Sequence, residues 1–267
     1  MEKEEELLGL QKTIGNPEEV WENIRATTAL SLRASFAGVL KGWQYSEGEI
    51  EAKLAECMRR EENFLKRTFA AFNQLLTENP NKKVLALFDI DETLASFTFT
   101  PSQKTITRPS AVALLERIKQ VAGAEVGFIT TRPKDAVISQ LDDPMHLQVI
   151  SKYITIADVF STYSNDNLIS SRTYSSDEFM RRASELLGGE TGIIDEDLLA
   201  KDKDPEMIAG CGVQEKLLIL KEVRAKFPDA VLFVVDDMEY PRVLSRKNGV
   251  YGVSLNEEER FFKPYVG

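Results

Sequence analysis

The stretch ALFDIDETL, residues 86–94, runs from apolar residues into two aspartates, Asp89 and Asp91, set one residue apart. Working outward from it, Val84–Phe88 reads as a short strand of apolar residues, and the acids fall where that strand gives way to a loop. A carboxylate at the end of a buried strand is costly unless a cation or hydrogen-bond donors meet it.

The chain beyond Pro80 repeats the theme of short apolar runs separated by helical segments. Residues 125–129, 231–235 and 250–253 read as further strands, with a weaker one at 154–160. Helices are expected from Pro109, near Lys134, from Ser176, from Val213 to Phe227 and near Tyr240. Strands alternating with helices predict an α/β fold with a doubly wound, Rossmann-like parallel sheet covered on both faces. In such sheets the ligand crevice lies at the carboxyl ends of the strands, where Asp89 and Asp91 fall.

The run VLFVV ends in the same manner, delivering Asp236 and Asp237 to that edge, while EVGFI ends in Thr130. Lys216, near the start of a predicted helix, is long enough to reach across to the acids. A chain with one histidine and two widely separated cysteines offers no soft-metal site. Oxygen ligands alone favour a hard cation, magnesium above the rest.

DIDET with its preceding apolar run, then FITTRP, Lys216 and VVDDMEYP, resemble in this order the four motifs of the haloacid dehalogenase (HAD) superfamily. The resemblance spans residues 84 to about 254. It implies a HAD-like core in which Asp89 is a nucleophile toward phosphorus. Asp91 is implied as the general acid and base, its backbone carbonyl also touching the metal. Thr130, with Thr131 as second choice, is implied to bind the phosphoryl group, and Lys216 to hold nucleophile and phosphate together. Asp236 and Asp237 are implied to bind or orient magnesium. Relatives that are transport ATPases or dehalogenases lack an acid at the place of Asp91, so the resemblance points to a phosphatase or phosphotransferase. The expected activity is magnesium-dependent phosphomonoester hydrolysis through an aspartyl phosphate, on a small molecule or a phosphoprotein. The alternatives are a phosphotransferase or mutase, and a partner-binding scaffold with an idle core.

Residues 1–79 carry apolar residues at helical spacing: Trp21, Ile24, Leu32, Phe36, Val39 and Leu40, then Ile50, Leu54, Met58, Leu65, Phe69, Phe72 and Leu76. Asn16-Pro17 and the pair Ser46 and Glu49 supply helix starts, and Asn79-Pro80 a stop. An N-terminal helical hairpin is therefore expected before a catalytic core at 80–267. It reads either as plain packing or as a lid, a homodimer contact or a protein-partner surface. Residues 94–107 are expected to form a flap, and 164–212 either a small cap or an elaborated connection. Arg132 reads equally as a phosphate contact or a structural ion pair. His146 is expected to have no catalytic role, and Asp195, Glu196 and Asp197 to form a solvated face. A net charge of −10 disfavours nonspecific binding of a nucleic acid backbone. With no apolar run of spanning length and no leader pattern, no membrane contact and a cytoplasmic location are expected.

Overall fold

Side chains alternate across a strand, so a strand apolar at every position must be covered on both faces. The computed structural model describes residues 13–42, 44–97, 105–131, 134–143, 147–154, 160–161, 192–202 and 211–261. Helices α1 (Pro17–Gly42) and α2 (Glu47–Glu78) precede strand β1 (Val84–Phe88). A two-stranded antiparallel ribbon, β2 (Ala95–Phe97) with β3 (Thr105–Thr107), leads to α3 (Pro109–Lys119) and β4 (Ala124–Thr130). Next come α4 (Lys134–Asp142), the single turn α5 (Gln148–Ser151), β5 (Phe160–Ser161) and α6 (Glu196–Ala200). The chain closes with α7 (Cys211–Lys226), β6 (Val231–Asp236), two 3-10 turns and β7 (Val250–Ser254).

The main sheet has five parallel strands in the order β5-β4-β1-β6-β7, a Rossmann-like α/β arrangement. Its two faces divide by residue parity. Val84, Ala86 and Phe88 of β1, with Val126, Phe128, Val231, Phe233 and Val235, enter one core cluster, which also holds Trp21, Phe64, Phe69, Phe72 and Leu114. Leu85, Leu87, Leu232 and Val234 enter the other, against Leu217, Leu220 and Val223 of α7. Thus α1, α2 and α3 share one face and α7 the other. Phe72 of α2 meets Phe233 edge-on, ring centroids 5.0 Å apart, so the long helix lies directly on the sheet.

The helix signals operate as the sequence predicts. Asn16 Oδ1 accepts the Glu18 N–H at 2.9 Å, and Ser46 with Glu49 forms a reciprocal capping box on α2. The helix stops at Glu78, before Asn79-Pro80. Leu32 of α1 packs with Ile50, Leu54 and Cys57 of α2, and Arg33 pairs with Glu51 at 2.6 Å across the two helices.

The helix expected near Tyr240 is a short 3-10 helix, Tyr240–Val243, after which the Ser245 N–H donates to the Ile193 carbonyl. One expectation is corrected. Asp195 is buried rather than solvated: it caps α6 by accepting the Asp197 and Leu198 N–H groups and pairs with Lys247 at 3.2 Å. Of the interval 164–212, residues 192–202 pack against the body, Ile193 being fully buried. Residues 162–191, with the helix expected from Ser176, lie outside the described residues, as do 203–210, the flap tip 98–104, Arg132 and His146. Among the described residues no helix is long and apolar enough to cross a membrane.

Candidate functional site

Parallel register brings the acids together. Phe88 of β1 is paired with Val235 of β6, and the ladder continues one residue further, where the Asp89 N–H donates to the Val235 carbonyl at 2.9 Å. Asp89 and Asp236 therefore leave neighbouring strands at the same level, and Asp237 follows in the loop. One carboxylate oxygen from each of Asp89, Asp236 and Asp237 lies within 4.8 Å of the others. Lys216, projecting from α7, reaches this trio: its ammonium is 2.8 Å from Asp89 Oδ1 and 2.6 Å from Asp236 Oδ2. Asp89, Lys216 and Asp236 are 3%, 1% and 0% exposed, so these contacts are made away from solvent.

Burial raises the Asp89 carboxyl far above the ordinary carboxylate range, and Asp236 and Asp237 add to the rise while Lys216 opposes it. Burial, with Asp236 adding to it, pushes Asp237 up to about 7. Burial alone would lower Lys216, but Asp89 and Asp236 outweigh it and hold its ammonium above the usual value. Three acids thus share two cations, the Lys216 ammonium against Asp89 and Asp236 and, at 3.9 Å from Asp237, the Arg260 guanidinium, so with all three ionised one negative charge is left uncompensated. Oxygen donors, close spacing and that deficit fit a hard divalent cation; Asp89, Asp236 and Asp237 would hold it.

The remaining sequence-derived residues line the same edge. Thr130 ends β4, the neighbour of β1 on its other side, and is fully buried. Thr131 follows it, partly exposed, facing the start of α7 near Gly212. Asp91 is partly exposed in the turn after β1, bridged to Ala95, and its carboxylate lies outside the trio. That turn is tight: Glu92 has φ +57°, and the Leu94 and Ala95 N–H groups both donate to the Ile90 carbonyl.

Two site residues escaped the sequence reading. The buried Tyr240 donates its hydroxyl to Asp236 Oδ2 at 2.9 Å, the oxygen that Lys216 also contacts. Burial, with Asp236 next, raises this phenol above its ordinary value, so it stays a donor. Its spacing of four from Asp236, inside VVDDMEYP, was the available signal. Arg260 donates to the Asp237 carbonyl at 2.6 Å from a charged stretch that gave no local sign of it.

No family model, curated protein or solved structure matches this chain.

Proposed function

We propose that this chain is a HAD-type phosphatase, hydrolysing phosphomonoesters through an aspartyl phosphate on Asp89. The observation that carries the reading is Lys216, whose ammonium bridges Asp89 and Asp236 at 2.8 and 2.6 Å on the carboxyl edge of a parallel sheet. The strand order, with β1 central between β4 and β6, agrees with a HAD-like core.

An anionic nucleophile approaching an anionic phosphate must be neutralised before it can react. Lys216 supplies one fixed positive charge to both groups. Magnesium, held by Asp89, Asp236 and Asp237, would supply the remaining neutralisation and orient the phosphoryl oxygens. Asp89 Oδ attacks phosphorus and the ester P–O bond breaks, while the Asp91 carboxyl gives its proton to the leaving oxygen. Asp91 then takes a proton from water as that water attacks phosphorus. The bond to Asp89 breaks, and inorganic phosphate leaves with the original carboxylate restored. The Thr130 hydroxyl would bind a phosphoryl oxygen, with Thr131 as the second choice. Tyr240 holds Asp236 in place by its hydrogen bond.

The test is turnover of an aryl phosphate, sugar phosphates, nucleotides and phosphopeptides with magnesium present, joined to hydroxylamine trapping of the acyl phosphate and peptide mass analysis. Magnesium-dependent release of phosphate with modification at Asp89 is expected. Magnesium binding with no turnover and no trapped Asp89 would overturn the reading in favour of the scaffold alternative.

A further inference from the structure

The proposed function accounts for the acids on β1 and β6 but not for the segment that walls them from outside. Residues 256–261 form a tight turn after β7, in which the Glu259 and Arg260 N–H groups both donate to the Asn256 carbonyl, at 2.9 and 3.0 Å. This turn is fastened on three sides. Its start is tied to the site, since the Leu255 N–H donates to the Asp236 carbonyl at 2.8 Å. Its end is tied to the loop after β1, since the Phe261 N–H donates to the Glu92 carbonyl at 2.6 Å. Its back is tied to α2: Arg59 pairs with Glu258 at 3.1 Å, Arg67 pairs with Glu259, and Arg60 donates to the Glu257 and Arg260 carbonyls.

So fastened, the turn presents Arg260 to Asp237, the least buried member of the carboxylate trio. Arg260 donates to the Asp237 carbonyl at 2.6 Å, and its Nε stands 3.9 Å from Asp237 Oδ2. That Nε is buried and has no hydrogen-bond partner among the described residues, so its attraction to the Asp237 carboxylate acts through charge alone. Among the described residues, Arg260 is the cation paired with Asp237. One arginine therefore holds the main chain of Asp237 by a hydrogen bond and faces its carboxylate as a charge 3.9 Å away.

We propose that Arg260 is a positioning residue for the cation site: it fixes Asp237 so that its carboxylate meets those of Asp89 and Asp236, and the C-terminal turn held by α2 is part of the site's construction. This rests on the reading of the trio as a magnesium site. Partners that orient a metal's ligands typically contribute 10–100-fold to affinity.

The experiment is calorimetric titration of full-length protein with magnesium, comparing wild type, Arg260→Lys and Arg260→Gln. Affinity should fall about tenfold or more in Arg260→Gln and by less in Arg260→Lys, which keeps a charge and a donor. The magnesium concentration that half-saturates aryl phosphate turnover should rise in Arg260→Gln by the same factor as the dissociation constant. Equal affinity in wild type and Arg260→Gln would overturn the positioning role and leave the phosphatase reading intact. A half-saturating magnesium concentration that does not move would also overturn it. A wild type that binds no magnesium would overturn both. Should Arg260→Gln fail to fold, Arg260→Lys decides by the same comparison of affinities.

Discussion

Asp89 sits buried against one ammonium ion and two other carboxylates, and burial raises its carboxyl well above the usual range. Replacing it by asparagine removes the proposed nucleophile and one acid of the crowded trio while keeping the shape. Asp89→Asn is expected to abolish aryl phosphate turnover, with a melting temperature in chelator no lower than wild type, measured by release assay and thermal unfolding. A second residue-scale prediction concerns Cys57, 1% exposed under α1, whose thiol burial pushes far up, with Glu61 and Glu56 adding to it. Thiolate is the reactive form, and here both its formation and its access are suppressed. In a Cys211→Ser background, Cys57 should stay unlabelled by a disulfide reagent in native protein and react fully in denaturant.

At the scale of elements, α2 does more than cover the sheet. Glu61 interrupts its apolar face and forms a fully buried pair with Arg108, Nε to Oε1 at 2.7 Å. Its other oxygen accepts the Ser110 N–H at 2.8 Å and hydroxyl at 2.6 Å, securing the first turn of α3. Arg108, stacked 3.9 Å from the Phe64 ring, donates to the Thr93, Arg60 and Glu259 carbonyls, joining the loop after β1, α2 and the C-terminal turn. Glu61→Ala leaves that guanidinium buried without its carboxylate and should cost about 3–5 kcal/mol, read from the urea midpoint. Deleting residues 1–79 removes Phe64, Leu65, Phe69, Phe72 and Leu75 from the core they share with β1 and β6. The truncated chain is expected to be insoluble or to lack a cooperative unfolding transition. A folded, monodisperse fragment 80–267 would show the helices to be dispensable and revive a lid or partner role.

For the whole molecule, the charge deficit of the site should link stability to the cation. Magnesium at about 100 times its dissociation constant adds about 2.7 kcal/mol to the native state, a rise on the order of 5–10 °C in melting temperature. Chelation should reverse both this rise and turnover. Calcium is larger and coordinates more loosely, so it should stabilise the fold yet support little turnover. A melting temperature indifferent to magnesium across the millimolar range would argue against a cation site at Asp89, Asp236 and Asp237.

The sequence by itself determined what is local. Apolar runs ending in acids specified β1 and β6 and their terminal Asp89 and Asp236; Ser46 with Glu49 specified the start of α2; and Asn79-Pro80 specified its stop. These features depend on side-chain periodicity, capping and the geometry of proline, all of which act within a few residues. Tertiary structure decided which ends meet. Strand order and parallel register placed Asp89 level with Asp236, and α7 crossed the opposite face so that Lys216 reached both. The pairs Glu61 with Arg108 and Asp237 with Arg260 were illegible in the sequence. Their members sit on separate elements, and although Asp237 stood out as a site acid, nothing near it or near Glu61 named its partner on another element. Pairing across such separations is set by how helices and turns close over the sheet, and no local spacing encodes that closure.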